Sequence, residues 1–231
     1  GSKLDVRYQF TYLTNSVSVR VEFGRLAEIA AQPGVKTVFL APTYAPQTDV
    51  TMGQNPASPM SSGSAVSSGA QEAWANGYTG AGMKIAVIDT GLDLDHPSFA
   101  AAPQNPSLTE EALAEILPRL HAYELRHGLR AQQLYRSEKV PYAFNYVDRS
   151  LIADHSADEQ GSHGTHVAGI AAANKLDGVG AVGMAPDAQL VIMKVFGVQG
   201  GAYADDYVAA VEDALTLGCN AINLSLGTAN G

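Results

Sequence analysis

Two short segments of the chain carry side chains that could act together in proton transfer. The first ends an apolar run on the carboxylate of Asp89, and the second, residues 162–169, presents the imidazole of His163 after a glycine-rich approach. A carboxylate beside an imidazole fixes the tautomer of the ring and stabilises the imidazolium that forms when the ring takes a proton from a hydroxyl nucleophile. The pair therefore suggests two thirds of a catalytic triad.

Different structural elements are predicted to hold the two groups. Residues 85–88 are apolar and mostly β-branched, which predicts a buried parallel strand that ends at Asp89. Functional sites of open α/β sheets gather at this carboxyl edge. Apolar residues recur from Val167 to Ala172, so His163 is expected at the start of a buried helix.

Three motifs give the chain a resemblance to the subtilisin family of serine proteases. They are Asp-Thr-Gly at 89–91, His-Gly-Thr-His-Val-Ala-Gly at 163–169 and Asn-Leu-Ser-Leu-Gly at 223–227. Each motif alone is a weak pattern, but the three occur in the family's order and in fitting strand and helix contexts. The resemblance covers nearly all of the chain from Trp74 onward. An insertion between the first two motifs is similar to that of the larger cell-envelope, lactocepin-like proteases.

The resemblance implies a serine endopeptidase that hydrolyses peptide bonds in extracellular proteins and is secreted or associated with the cell envelope. It implies that Asp89 orients the imidazole and that His163 serves as general base and general acid. A strand containing Ser225, Leu226 and Gly227 is expected to line the substrate cleft. There an extended polypeptide substrate would pair with the strand's backbone, so main-chain hydrogen bonds would supply affinity.

The family pattern also requires groups that follow the third motif. These are the serine nucleophile, in a Gly-Thr-Ser-type segment, and an asparagine for the oxyanion hole. The sequence runs to Gly231, so we expect a further C-terminal part of the catalytic domain to complete the site. Ser225 is an alternative nucleophile, but a nucleophile elbow needs a small residue where Asn223 stands and a helix immediately afterwards. By itself, this stretch is expected to be inactive.

A noncatalytic protein-binding module on the same scaffold is the alternative function. The joint presence of Asp89 and His163 favours an enzyme, because neither residue is needed for folding. A downstream Gly-Thr-Ser segment would discriminate between the two.

The N-terminal part, residues 3–47, is predicted to form a small α+β unit. Its pattern indicates a strand within 12–23, a short helix at 25–31 and a second strand at 35–40. This unit resembles part of the family's inhibitory propeptide, whose tail, here 41–47, would block the cleft. An ordinary N-terminal subdomain is the alternative.

Residues 48–70 are rich in Ser, Gly, Pro, Asn and Thr, which predicts a flexible linker and the place of maturation cleavage. Residues 71–231 are predicted to form the N-terminal part of an α/β catalytic domain, a subtilisin-like three-layer sandwich with a mostly parallel sheet. A helical insertion at about 100–140 contains an amphipathic helix over 108–126, bent near Pro118. It could shape substrate access, dock a neighbouring domain or be a surface decoration.

The last third of the chain is predicted as a β-α-β unit. A strand covers 188–196 with Lys194 inside it, and a strand over 221–226 follows the helix. That helix, over 205–217, is predicted to bury the apolar positions Val208, Val211 and Leu215.

Composition limits the function classes further. The 231 residues carry a net charge of −9, which argues against nucleic acid as a partner. No apolar run is long enough to cross a bilayer. The single cysteine, Cys219, excludes an intrachain disulfide and is predicted to be a buried structural thiol.

The other histidines are weak candidates for metal ligands. His166 stands three residues after His163, but zinc sites on helices usually carry a glutamate in an HExxH pattern. His166 is therefore interpreted as a structural histidine beneath the helix. His96 is predicted to be a loop residue, and three others are predicted to be solvated: His121, His127 and His155.

Calcium is a candidate ligand and not an assigned cofactor. The loop 174–182 lies where subtilisins often hold calcium, but Lys175 places a positive charge there and only Asp177 is acidic. Further acidic residues near the two motifs could bind hard cations, although such clusters are more often solvated loop faces: Asp93, Asp95, Asp154, Asp158 and Glu159.

Overall fold

The computed structural model describes residues 4–46, 68–156, 158, 161–175, 182–198 and 200–227. In these ranges the strands are β1 (Asp5–Phe10), β2 (Ser16–Arg20), β3 (Thr43–Pro46), β4 (Lys84–Asp89), β5 (Tyr142–Asn145), β6 (Gln189–Lys194), β7 (Ala202–Tyr203), β8 (Ala221–Leu224) and β9 (Leu226–Gly227). The helices are α1 (Leu26–Ala30), α2 (Ala70–Ala75), α3 (Glu110–Ile116), α4 (His121–Leu125), α5 (Ala131–Leu134), α6 (His163–Ala172) and α7 (Ala204–Thr216). No helix in the described part is long and apolar enough to cross a membrane.

A four-stranded parallel sheet with the strand order β5-β6-β4-β8 forms the centre of the molecule. Its strands are apolar on both faces, as parallel sheets covered by helices are. In β4, Ala86 and Ile88 belong to the core cluster that also contains residues of α7, whereas Val87 belongs to the cluster that contains residues of α6. The predicted three-layer α/β arrangement is therefore confirmed.

The N-terminal unit differs from its predicted strand–helix–strand order. It begins with an antiparallel hairpin in which β1 pairs with β2, and β1 was not predicted. Residues 35–40 form no strand and are largely exposed. The predicted short helix is present as α1. The alternation of Tyr8 and Phe10, both buried, is the period-2 signal that marks β1, whereas residues 35–40 have no neighbouring strand to complete their hydrogen bonds.

The predicted tail of this unit lies in a second sheet. Strand β3 is paired antiparallel on both sides, with β7 through Tyr44 and Ala202 and with β9 through Ala45 and Gly227. The ring of Tyr44 also packs edge-on against Tyr207, with a centroid distance of 5.1 Å. The N-terminal unit thus contributes the middle strand to a sheet whose outer strands come from the second half of the chain. Most of the predicted linker 48–70, up to residue 67, lies outside the described residues.

The insertion is helical, but its predicted continuous helix is broken. Helix α3 is capped by Thr109, whose hydroxyl accepts the Ala112 N–H at 3.2 Å. A 3₁₀ turn, Leu117–Arg119, follows, and Leu120 then adopts an extended conformation before α4 begins. Pro118 occupies the first turn of the 3₁₀ segment, where a missing N–H is tolerated. The expected bend is therefore a break between two short helices.

Helix α7 buries a face that its apolar pattern did not indicate. Val208 and Val211 are half-buried and Leu215 is exposed, whereas four carboxylates lie inside: Asp205, Asp206, Glu212 and Asp213. The β1–β2 hairpin and the insertion cover these groups. Arg7 pairs with Asp205 at 2.9 Å and Asp206 at 3.1 Å, so the N-terminal unit is bound to the helix by charge-assisted contacts.

Burial controls the ionisation of two of these acids. It raises the pKa of Asp206 to about 6, against the lowering effect of the Tyr8 hydrogen bond and of Arg7. It also raises the pKa of Asp213 to about 6, although His121 and the hydroxyl of Tyr146 favour the charged form. Both carboxylates are thus poised to change charge close to neutral pH.

Candidate active site

Asp89 is the last residue of β4 and is almost completely buried, with 1% of its surface exposed. Its Oδ1 accepts two hydrogen bonds, from the Thr90 N–H at 2.7 Å and from His163 Nδ1 at 2.8 Å. Its Oδ2 is buried without a hydrogen-bond partner among the described residues. The carboxylate is thus held by its own strand end and directed at one ring.

His163 is the first residue of α6, as predicted, and its side chain is 12% exposed. An ionised carboxylate only accepts hydrogen bonds, so the short contact with Asp89 places the proton on Nδ1. Nε2 then carries the lone pair. In this tautomer the ring can accept a proton from a hydroxyl group. The structure thus brings the two predicted catalytic residues into hydrogen-bond contact.

Close backbone packing holds the two loops together. Gly91 has a φ of 110°, a left-handed conformation that favours glycine. A Cβ atom added at Gly164 would lie 2.2 Å from the Gly91 carbonyl oxygen. The Gly164 N–H donates to Thr90 Oγ1 at 2.9 Å. The loop after the aspartate and the first turn of the histidine helix therefore meet without space for another side chain.

Other polar residues hold the loops around the pair, a role that the sequence did not predict for any of them. Thr165 Oγ1 accepts the Asp93 N–H at 2.8 Å and lies 2.7 Å from His155 Nε2. Lys194 is buried at the end of β6, where its ammonium contacts the Thr90 carbonyl and the carboxylate of Asp158. The sequence did hint at Lys194, because a lysine inside an otherwise apolar strand needs a partner when it is buried.

The third motif lies where the four-stranded parallel sheet and the β7-β3-β9 sheet meet. Ser225 stands between β8 and β9, and its hydroxyl donates to Asn223 Oδ1 at 2.8 Å. Among the described hydrogen bonds, the one made by the His163 ring is with Asp89, and none connects it to Ser225. Leu226 and Gly227 pair with β3. The motif thus presents its backbone to an extended segment, and here that segment is the chain's own.

The histidine predictions are partly wrong. His121, expected to be solvated, is 9% exposed and lies 2.9 Å from Glu212. Its ring packs edge-on against Tyr8 and Phe10, because the hairpin covers it. His155 is half-buried against Thr165. The expected structural histidine, His166, is exposed, since it lies on the outer face of α6. Two predictions are confirmed, the loop position of His96 and the exposure of His127.

In the ranges that the structure describes, no three His, Cys, Asp or Glu side chains form a set that could hold a metal ion. Asp177 and Glu159 and most of the loop 174–182 lie outside those ranges, so calcium binding stays a prediction. The thiol of Cys219 is half-buried against the core, and burial raises its pKa to about 12. The thiol is therefore protonated at neutral pH, in agreement with the predicted structural role.

Known proteins are similar to this chain. The sequence model of the subtilase family matches residues 80–231. The chain is 34% identical to the PI-type proteinase of Lactococcus lactis subsp. cremoris over 96% of its own length, and 29% identical to the minor extracellular protease Vpr of Bacillus subtilis (strain 168), also over 96%. It spans only 11% and 24% of those proteins. Fervidolysin from Fervidobacterium pennivorans, described as a keratinolytic enzyme related to subtilisin, is 29% identical, with a TM-score of 0.42, over 68% of this chain and 19% of its own.

Proposed function

The chain belongs to the subtilase family, and on that basis we propose that it supplies the aspartate and the histidine of an Asp-His-Ser triad in a serine endopeptidase. The observation that carries the proposal is the 2.8 Å hydrogen bond between His163 Nδ1 and the buried Asp89. The substrates are proteins outside the cell, and the enzyme is secreted or attached to the cell envelope. The similarity to Vpr, whose name describes it as extracellular, supports this location.

In the proposed mechanism, His163 Nε2 removes the proton from the nucleophilic serine as the serine oxygen attacks the carbonyl carbon of the substrate. Asp89 keeps the ring in the correct tautomer and stabilises the imidazolium that results. His163 then returns the proton to the leaving amine. The serine and the oxyanion-hole asparagine belong to a segment that follows the third motif in the complete protein. Without that segment, residues 1–231 are inactive.

We propose that residues 3–47 act as an inhibitory, propeptide-like unit. Ala45 pairs with Gly227, and Pro46 with Leu226, in an antiparallel register. Strand β3 therefore occupies backbone positions that an extended substrate would use at Leu226 and Gly227. Added as a separate polypeptide, residues 3–47 should inhibit the mature protease, with an apparent inhibition constant that rises with substrate concentration as expected for competition.

A fluorophosphonate probe tests the catalytic proposal, because it labels only an activated serine. The complete protein, extended through the family's serine segment, should take up the label and hydrolyse a protein substrate. His163→Ala should abolish both, whereas His127→Ala, a change at an exposed histidine of the insertion, should preserve both. A complete protein that binds polypeptides but shows neither labelling nor hydrolysis would instead be the noncatalytic binding module.

A further inference from the structure

Lys194 is a buried cation beside the proposed catalytic pair. Only 1% of its surface is exposed, and lysine is almost never buried to this degree unless it is paired. Its ammonium donates to the Thr90 carbonyl oxygen at 2.6 Å and forms an ion pair with the carboxylate of Asp158. Desolvation of the ammonium is thus compensated by one neutral and one charged acceptor.

These two acceptors belong to the two chain segments that carry the pair. Thr90 directly follows Asp89, and Asp158 precedes His163 by five positions in the histidine loop. The register of β4 and β6 places Asp89 beside Lys194 itself. One side chain therefore connects the end of the aspartate strand to the loop that leads into the histidine helix.

Thr90 completes this connection from the other direction. Its carbonyl is held by Lys194, while its hydroxyl accepts the N–H of Gly164, the residue after His163. A displacement of Thr90 would consequently move both partners of the 2.8 Å hydrogen bond between Asp89 and His163. Catalytic geometry of this kind depends on such supporting contacts.

We propose that Lys194, paired with Asp158, is a positioning residue for the Asp89–His163 pair. The inference rests on the proposed peptidase function and deepens it. Lys194 acts in two ways: its hydrogen bond fixes the loop after Asp89, and its charge balances that of Asp158, so the pair adds little net field at the imidazole. Among the described residues, the titratable or charged groups linked to the ring and the loops around it are Asp89, Lys194, Asp158 and, through Thr165, Asp93 and His155.

Charge balance gives a signature that a purely structural role would not produce. Lys194→Met removes one positive charge and keeps the negative charge of Asp158, which favours the imidazolium and moves the acid limb of the kcat/KM pH profile to higher pH. Asp158→Asn removes one negative charge and keeps the ammonium, which moves the limb to lower pH. The double variant removes both charges, and its limb should return close to the wild-type position.

The test uses the complete protein and measures kcat, KM and the pH profile of peptide hydrolysis. Lys194→Met should reduce kcat by about 10- to 100-fold with little change in KM. Lys175→Met, at an exposed lysine after α6, is the matched control and should match wild type. Circular dichroism and thermal melts show whether each variant folds, and if Lys194→Met does not fold, Asp158→Asn and the double variant still test the charge balance.

Three failures can be told apart. A wild-type protein without hydrolysis, or one whose hydrolysis survives His163→Ala, would overturn the proposed peptidase function. A wild-type protein that depends on His163, together with a folded Lys194→Met variant of unchanged kcat, would overturn only the positioning role. Limb shifts of the same sign in Lys194→Met and Asp158→Asn would overturn the charge balance.

Discussion

Replacing Glu212 by alanine should loosen the turn of the N-terminal hairpin where it contacts helix α7. The carboxylate is buried, with 1% of the residue exposed, and it joins the helix to both the hairpin and the insertion. Its Oε1 accepts the N–H groups of Tyr12 and Leu13 at 3.0 and 2.9 Å, and its Oε2 lies 2.9 Å from His121 Nε2. Burial raises the pKa of Glu212, but the hydrogen bonds from Leu13, His121 and Tyr12 outweigh this and lower it overall.

The size of the effect follows from the donors that alanine would leave without a partner. The turn that contains Tyr12 and Leu13 is exposed, so water can reach these amides and each lost bond costs about 1 kcal/mol. His121 is buried, and its orphaned nitrogen costs about 1–3 kcal/mol. The sum, about 3–5 kcal/mol, equals the range for removing one partner of a buried ionic contact. Glu212→Gln keeps one oxygen for the two amides and should cost only about 1 kcal/mol.

Denaturant unfolding of the two variants measures these losses, and amide hydrogen exchange localises them. In Glu212→Ala, the amides of Tyr12 and Leu13 should exchange much faster, while the amides of β4 lose only the protection that follows from lower global stability. Because the pKa of Glu212 is lowered on folding, its contribution is present above the unfolded pKa of about 4.5 and is lost as pH falls through the folded value. An alanine variant that loses less than about 1 kcal/mol, with normal exchange in the turn, would refute this account.

Three further outcomes are expected. In the complete protein, Asp89→Asn should reduce kcat by about 10⁴-fold without loss of folding, measured by peptide hydrolysis and circular dichroism. Gly164→Ala should destabilise the chain by at least about 1–3 kcal/mol in thermal unfolding, because its Cβ would lie 2.2 Å from the Gly91 oxygen. Burial raises the pKa of Asp213 from 3.8 to about 6. Its contribution to the free energy of unfolding is therefore fully present below about pH 3.8, where the carboxyl is neutral in both states. Up to about 3 kcal/mol of this free energy is lost as pH rises through about 6. Unfolding free energies at pH 4 and pH 7 should therefore differ less in Asp213→Asn than in wild type.

The proposed catalytic pair could be found from the sequence because its two motifs are local. An apolar β-branched run that ends at Asp89 specifies a buried strand and its edge, and small apolar residues after His163 specify a buried helix. Each side chain is placed by the end of its own element. Parallel packing of neighbouring elements then brings such ends to one edge of the sheet.

The supporting residues were less accessible, because their roles arise from contacts between distant segments. Lys194 and Asp158 are 36 positions apart, and no local pattern relates them. The polar character of Thr90 was visible, but its bond to Gly164 depends on the close approach of two loops. A sequence indicates that a buried lysine needs a partner, and only the packed chain identifies which one.

Helix α7 shows the same division most clearly. Its helical period, and therefore its bounds, followed from the order of residues along the chain, since local hydrogen bonds and side-chain spacing decide them. The face that the helix buries could not be predicted in this way. The hairpin and the insertion, which cover Asp206, Glu212 and Asp213, come from distant parts of the sequence. The family motifs, the proposed catalytic pair and the parallel α/β core all followed from the order of residues in the chain. The tertiary structure alone decided which carboxylates are buried and which strand lies against Leu226 and Gly227, because both depend on long-range contacts that satisfy charges and backbone groups.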